Sequence, residues 1–567
     1  MKKSFFVSYH WLLLILFSFI ISIPLLLPYF HTGYFPTHDG EWAVVRLGDM
    51  YREIKDLQFP ARYSGNLNFG YGYPLFEFAY PLPYYLGFVI HLFHIDFVNS
   101  MKLLFALTVP FSFMGMYLLA HRFWNNRWAG YISGMLYIYY PYRLVDLFVR
   151  GSIGESIAFV LFPFILYFLL RLHQSKKLFD ATWAGVCIAL LVTAHNIMAV
   201  EFLPVILIFM GSSLFVEKEK RKILALNYLV SFVLGFGLSC FFWLPALSEK
   251  NLIALSVIPI ADKSQYFVKP LQLLLPSWGY GTTNLSYQLG VAQILALIGT
   301  LVVLYLQQRK STKKHTISLF LWLLLGLFII YIFLLFSLST FFWQHIPLFS
   351  DVTYPWTLLA PLGFMTALMI GRLASFKGSF SIITIFIIWI AMLYCISYAK
   401  PSMYVDRGDA YYLTNDATTT SSNEYTPLWV RQRPAERPAD KFITIDKNIS
   451  LSDETSNSKM FSVTASSVIP SLLQINTIYY PGWNVTMDGK PVIIHYQDVK
   501  GVMQVYLPKG THIFVGTFTE TPLRLLSDFV SLLSIFAVLV LLFLSYIRKR
   551  SSKAKLPMSN DQYPIKT

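Results

Sequence analysis

Stretches of about 18 or more residues with almost no charge recur from end to end of this chain, and each is long enough to cross roughly 30 Å of bilayer hydrocarbon. Inside hydrocarbon the backbone N–H and C=O groups have no water to bond, so repeated spans of this kind fold as helices. Hydrophobic residues make up 55% of the sequence and charged residues only 13%, well beyond the balance of a soluble domain. The pattern predicts an all-α polytopic membrane protein. Its first stretch, "MKKSFFVSYHWLLLILFSFIISIPLLLPYF", is too long for a signal-peptide core and lacks a small-residue cleavage site. It reads as a retained first span.

Candidate spans fall at 9–30, 101–120, 127–142, 155–171, 179–195, 197–215, 223–246, 288–307, 317–338, 353–371, 379–398 and 524–547. A further segment, 81–96, "PLPYYLGFVIHLFHID", would make an odd number of crossings. The basic flanks "MKK" and "RKRSSKAK" both belong in the cytoplasm, which requires an even number. Segment 81–96 therefore reads as an interfacial or re-entrant helix. About twelve transmembrane helices then put Arg171, Lys176 and Lys177, Lys218 to Lys222, Arg309 to Lys314 and Arg548 to Lys555 on the cytoplasmic side. The net charge of +15 thus reports orientation in a lipid bilayer of the plasma membrane and not a nucleic-acid partner. Cys187, Cys240 and Cys395 lie in or beside apolar spans without a CxxC pair, so neither disulfides nor a thiolate metal site is expected.

This parity divides the chain into a transmembrane domain at 1–398, an extracytoplasmic β-rich domain at 399–523, a last span at 524–547 and a basic cytoplasmic tail at 548–567. The outer face holds the first loop, 31–100, the loop 143–155, the turn at His195, and loops at 247–287 and 339–352. Within 399–523, "KMFSVTASSV", "SLLQINTIYY", "WNVTMDGKPVIIHY", "GVMQVYLP" and "THIFVGTFT" alternate with period 2, as half-buried strands do. Asp488-Gly489 suits a tight hairpin and Pro508-Lys509-Gly510 a longer one. A small β-sandwich is expected, preceded by a loose stretch rich in Ser, Thr and Asn at 415–424.

Chemistry-bearing residues concentrate on the outer face. "FPTHDGEWAVVRLGDMYREI", residues 35–54, puts His38, Asp39 and Glu41 directly past the first span. Residues 41–57 then place Val44, Leu47, Met50, Tyr51, Ile54 and Leu57 at helical spacing, with Arg46, Asp49, Arg52, Glu53 and Lys55 mostly on other faces. Such a helix would lie on the membrane surface and hold Asp39 above the headgroups, where Asp39 can equally serve as its N-cap. The second loop, "YPYRLVDLFVRGSIGESIAF", packs Arg143, Asp146, Arg150 and Glu155 around Gly151 and Gly154. That set suits a phosphate clamp with an optional divalent metal, or a salt-bridged hairpin. His195 reads as an interfacial residue or as a partner for a lipid phosphate or sugar. Glu77 in "PLFEFAYPLPYYL" and Trp278 and Tyr280 in "PLQLLLPSWGYGTTNLSYQLG" read as membrane-belt residues or, with His38, as sugar or acceptor contacts. The intramembrane carboxylate Glu201 is a functional candidate by default. No P-loop, HExxH or GxSxG occurs in its required context.

The acidic pair after the first span, the "PLPYYL" stretch, and the Arg-Gly and Gly-Glu pairs of the second loop resemble the GT-C superfamily of membrane glycosyltransferases. More closely, the chain resembles bacterial membrane proteins grouped under a "6-pyruvoyl-tetrahydropterin synthase-related" heading, although nothing soluble and pterin-binding is visible in it. "YYPGWNVTMDGKPV" and "LPKGTH" are similar to the outer domain of bacterial membrane proteins that glycosylate teichoic acids. The resemblance implies transfer of a sugar from a polyprenyl-phosphate carrier to a cell-envelope polymer or glycolipid outside the cytoplasm. It implies Asp39 as the catalytic base or its orienting acid, with Glu41 as the second acid, and Asp146 or Glu155 as a metal-binding carboxylate. In that reaction Arg143 and Arg150 would offset charge on the departing phosphate. The second loop has no D-x-D, and Pro355-Trp356-Thr357 has Thr where relatives carry Arg. Two rival readings are a transporter or flippase of lipid-linked saccharide and a noncatalytic envelope-assembly protein. Acids gathered outside, and the lack of an internal repeat, count against transport.

Overall fold

Helices occupy the uncharged stretches. The computed structural model describes residues 2–277, 285–308, 316–346, 349, 352–376, 379–401, 403–444 and 449–554. Among these, seven helices are long and apolar enough to cross a membrane: Trp11–Phe30, Phe97–Trp124, Ile153–Ser175, Asn196–Val216, Arg221–Leu238, Pro355–Ala374 and Pro522–Ile547. An eighth follows if Leu319–Leu334 and Ser337–His345, bent by 98°, form one span. Leu178–Ala194, Val291–Leu306 and Ser381–Ile396 are apolar but shorter. Every predicted span meets a helix, but length and composition alone do not support twelve crossings. The segment 127–142 is only the 12-residue helix Arg127–Ile138, because Pro141 holds Tyr140 extended. The segment 223–246 breaks at Ser239 into Arg221–Leu238 and Cys240–Glu249. The protein is thus a mostly helical, multi-pass membrane protein. All three cysteines are free and buried.

Within segment 81–96, the helix Leu82–His91 has 10 residues. It extends about 15 Å, half of what a crossing needs, and packs against Gly40–Lys55 and Phe97–Trp124. The loops assigned to one face do meet at one end of the helices. Tyr34 pairs with Val405 and Ile253 with Pro427, and Lys263 Nζ donates to the Phe349 carbonyl at 2.7 Å. The helix Gly40–Lys55 is less a surface float than expected. Its polar side chains Asp49 and Glu53 are buried along with Val44, Leu47 and Met50.

The strands of the C-terminal region are β1 (Phe442–Thr444), β2 (Ile449–Ser456), β3 (Met460–Ser467), β4 (Ser471–Ile478), β5 (Trp483–Met487), β6 (Lys490–Pro491), β7 (Val502–Leu507) and β8 (Gly510–Phe518). They form a three-stranded sheet, β1-β4-β7, and a five-stranded sheet, β2-β3-β8-β5-β6. Alternate residues of both sheets, among them Phe461, Val463, Leu473, Val505 and Phe514, share one core with Tyr63 and Phe78 of the first loop. Asp488-Gly489, with φ of +50° and +79°, makes the expected tight turn between β5 and β6. Pro508-Lys509 does not close a hairpin. β7 pairs with β4 and β8 with β3 and β5, so this link carries the chain from one sheet to the other. β2 shows little alternation because "ISLSDETS" is a largely exposed edge strand.

One buried ion cluster ties the sheets, the first loop and the last helix together. Arg62 pairs with Glu77 (3.1 Å), Glu520 (2.8 Å) and Asp528 (2.7 Å). Arg524 pairs with Glu77 (3.3 Å) and Glu249 (2.6 Å), and the Tyr480 hydroxyl donates to Glu249 at 2.9 Å. The last helix needs such a tie, since only 6% of its apolar window is buried by protein. Replacing Arg62 with Met leaves Glu520 and Asp528 without their cation beside Glu77, at a cost of about 3 kcal/mol or more. The expected outcome is an earlier unfolding transition in detergent, read by intrinsic fluorescence; an unchanged transition would deny the cluster this role.

Candidate active site

The first and second loops meet backbone to backbone. His38 N donates to the Val149 carbonyl (3.0 Å) and Asp39 N to the Arg150 carbonyl (2.7 Å). Gly151, at φ +65°, makes the crossing feasible, because a Cβ there would lie 2.2 Å from Thr37 Oγ1 and 2.8 Å from Gly40 N. Thr37 Oγ1 accepts the Gly40 N–H at 2.9 Å. Asp39 stands at the N-cap position of Gly40–Lys55 but makes no side-chain capping bond. Its carboxylate instead lines a cavity of about 160 Å³ with Trp42, Arg46, Tyr80, Tyr84 and Tyr354. Thr420, Ser421 and Glu424 form another wall.

Beneath the crossing lies a network of buried charge. The Arg150 guanidinium sits 4.6 Å from the Trp356 ring centre, and Trp356 stacks on Tyr354 at 5.1 Å. Arg150 bonds Glu155, donates to Tyr142 Oη at 3.3 Å and stands 3.5 Å from Asp146. Asp146 also accepts the Ser156 hydroxyl (3.0 Å) and pairs with Arg143 (3.5 Å). Glu155 accepts the Tyr142 hydroxyl at 2.9 Å. At the break between two apolar helices, His195 Nδ1 accepts the Met198 N–H (3.3 Å), while Nε2 faces Glu155 at 3.8 Å. Burial holds His195 down at about 4, so it is neutral at pH 7 with its proton on Nε2. Its ring stacks on Tyr80 at 4.9 Å. Gly154 admits Tyr80, since a Cβ there would meet that ring at 2.7 Å. For Asp39, burial pushes the carboxyl pKa up, against the opposing pull of Arg150, Arg46 and His38.

A family model described as "6-pyruvoyl-tetrahydropterin synthase related domain; membrane protein" matches residues 76–402. The chain belongs to that family. The match takes in the second loop, His195 and Trp356 and begins after Asp39. An uncharacterized protein of Lactococcus lactis subsp. cremoris (strain MG1363) is 24% identical over 252 residues, 43% of this chain and 40% of its own length. The chain therefore spans well under half of that relative. Among solved structures, the apo oligosaccharyltransferase of Archaeoglobus fulgidus aligns over 75% of this chain and 62% of its own, at 15% identity and a TM-score of 0.47. The arabinofuranosyltransferase AftD from Mycobacteria aligns over 69% of this chain and 27% of its own, at 15% identity and a TM-score of 0.45.

In this 6-pyruvoyl-tetrahydropterin synthase related membrane protein, Asp39, Arg150, Glu155 and His195 come together, with Asp146 behind them. Arg143 is fully enclosed, donating to Thr108 Oγ1 at 2.7 Å and lying 4.7 Å from the Phe159 ring centre, so it faces neighbours and not the cavity. Glu41 turns away toward Arg407 at 3.5 Å. His38 is exposed and meets the crossing through its main chain. Glu77 belongs to the Arg62–Arg524 cluster. Trp278 and Tyr280 lie outside the described residues. Glu201 accepts the Thr357 hydroxyl within the helices. Among the described residues no three of His, Cys, Asp and Glu gather as a metal-binding group. Asp146 and Glu155 are each paired with arginine and do not fit a divalent cation as disposed.

Sequence reading missed the opposite wall. Arg46 Nε donates to Thr419 Oγ1 (3.0 Å) and Nη1 to Tyr84 Oη (3.2 Å), while Nη2 bonds the Thr419 carbonyl. The one available signal was the seven-residue spacing from Asp39, which puts both on one helix face. The 415–424 stretch is irregular but docked, through Thr419 and Tyr73 (3.2 Å). Thr37→Ala should cost about 1 kcal/mol of stability, whereas Asp39→Asn should cost nothing at pH 7. The sign follows from the raised folded-state pKa: Asp39 favours folding below its unfolded value, and that contribution is lost as pH rises through the folded value. Melting temperatures of the two variants check this, and the reverse ranking would make Asp39 the cap.

Proposed function

We propose that this family member is a GT-C-type glycosyltransferase that moves a sugar from a polyprenyl-phosphate donor to a cell-envelope acceptor outside the cytoplasm. The proposal includes twelve spans, cytoplasmic termini and residues 399–523 as an extracytoplasmic domain. One observation carries it: an uncapped carboxylate, Asp39, faces a small aromatic-walled cavity between Arg46 and the loop bearing Arg150.

In the proposed reaction Asp39 accepts the proton of an acceptor hydroxyl, and that oxygen bonds the anomeric carbon. The bond from the anomeric carbon to the phosphate oxygen breaks, and the electron pair leaves on polyprenyl phosphate. A base must stand within hydrogen-bond reach of the hydroxyl and titrate near the working pH; the burial-raised pKa of Asp39 serves the second need. Arg46, now bonded to a main-chain carbonyl and two hydroxyls, has no carboxylate among these partners and can exchange one of them for phosphate oxygen. Arg150, fixed by Glu155 and Trp356, supplies positive potential without moving. Tyr80 and Tyr84 give the cavity an aromatic wall against which a sugar would pack. His195, neutral and stacked on Tyr80, positions that ring.

Asp39→Asn should lower transfer by about 10²–10⁴-fold, the usual worth of a general base, with protein abundance unchanged. The acid limb of the wild-type rate profile should lie above about 3.9, the ordinary Asp value. Envelope glycans of a deletion strain, compared with an Asp39→Asn strain, provide the measurement. Loss of the same substituent in both supports the reading, and an intact substituent in the Asn strain overturns it.

A further inference from the structure

A second, larger cavity of about 530 Å³ opens between the C-terminal turn of Gly40–Lys55, residues 65–70 and the β-region. Arg52, Lys55, Arg437 and Lys441 line it together with Glu53 and Asp56. It lies roughly 20 Å along the helix from Asp39, at 1.5 Å per residue, too far for one phosphate to serve both places.

Both acids of this cavity bond to neutral donors. Glu53 accepts Gln58 Nε2 (2.7 Å) and Gly65 N (3.0 Å), and Asp56 accepts Ser458 N (2.9 Å). Arg437 is ion-paired with Asp416 at two points, through Nε (3.0 Å) and Nη2 (2.5 Å), and reaches the Asn66 carbonyl at 3.3 Å. Lys441 differs from all of these. Among the described residues its ammonium donates to the carbonyls of Gly70 (3.3 Å) and Asn476 (3.2 Å) alone. Among the described residues no carboxylate forms an ion pair with it. Burial, and then the charge of Arg437, pull its pKa down to about 8. Arg437 already has Asp416 as its counter-ion, but a buried ammonium with carbonyl partners beside that guanidinium is costly, and an oxyanion next to it would relieve that cost. The wall is set by the protein itself, for Arg437 Nη1 already lies against Gly70, 2.8 Å from where a Cβ would stand.

We propose that this cavity is a binding site for a phosphate group, with Lys441 and Arg437 as its direct ligands and Arg52 and Lys55 at its rim. The site stands apart from the transfer reaction assigned to Asp39 and does not rest on it. Phosphate can arrive as the free ion or as a diester in a polymer, and the test separates the two.

Full-length protein in nanodiscs of zwitterionic lipid is acetylated with an N-hydroxysuccinimide ester, and labelling is read peptide by peptide. One arm contains inorganic phosphate and the other a glycerol phosphodiester oligomer. Labelling of Lys441 should slow at least tenfold, while the exposed Lys490, away from the cavity, is unaffected. Protection by inorganic phosphate assigns the free ion, and protection by the oligomer alone assigns polymer-borne phosphate. Arg437→Gln should weaken the protecting anion about tenfold or more, as loss of a charged hydrogen bond does. Unchanged Lys441 labelling in both arms, or equal protection in Arg437→Gln, overturns the site.

Discussion

Two backbone hydrogen bonds between residues 38–39 and 149–150 are the constraint from which the rest of the candidate site follows. Main chains approach this closely only where no side chain intervenes, and Gly151 is the residue that gives way. Once the crossing exists, Thr37 is drawn into capping the next helix, and Asp39 is left facing a cavity. The same crossing brings the Arg150–Glu155–His195 network under the first loop. Remote parts of the sequence thereby act on one volume of space.

Arginine organises charge in this protein twice, with different outcomes. At Arg62 and Arg524 every carboxylate is drawn inward and used to join elements. At Arg150 one face of the guanidinium is covered by Trp356 and Glu155 and Asp146 pair with it, yet Asp39 beside it makes no capping bond. A flat, permanently charged group suits both uses, since it can be fixed by stacking and by directed bonds at once. The first arrangement resists movement, and the second holds potential in readiness for a ligand.

Much of this was legible in the residues. The apolar helices announce themselves by hydropathy, the strands β3, β4, β5, β7 and β8 by alternation, and the Asp488-Gly489 turn by its dipeptide. Grouping His38–Glu41 with the second loop followed from charge parity. Several things stayed hidden for definite reasons. Glu77 looks like a binding-site acid locally, and only the fold reveals that Arg62 and Arg524 claim it. Arg46 looks like a solvated helix residue until Thr419, far along the chain, arrives over it. The pairing of β7 with β4 instead of β8 is a non-local choice that no short window contains.

The last helix has few fully buried residues in its apolar length and packs on Leu178–Ala194, Arg221–Leu238 and Cys240–Glu249, while its first turns are anchored at Arg524 and Asp528. Membrane thickness fixes how deep such a rod prefers to sit, but the anchored end cannot rise or sink freely. A thicker or thinner bilayer must then be answered by tilt about that anchorage. Because β8 runs directly into this helix, the lean would be felt first in the sheets above, making the β-region a mechanical neighbour of the lipid around it.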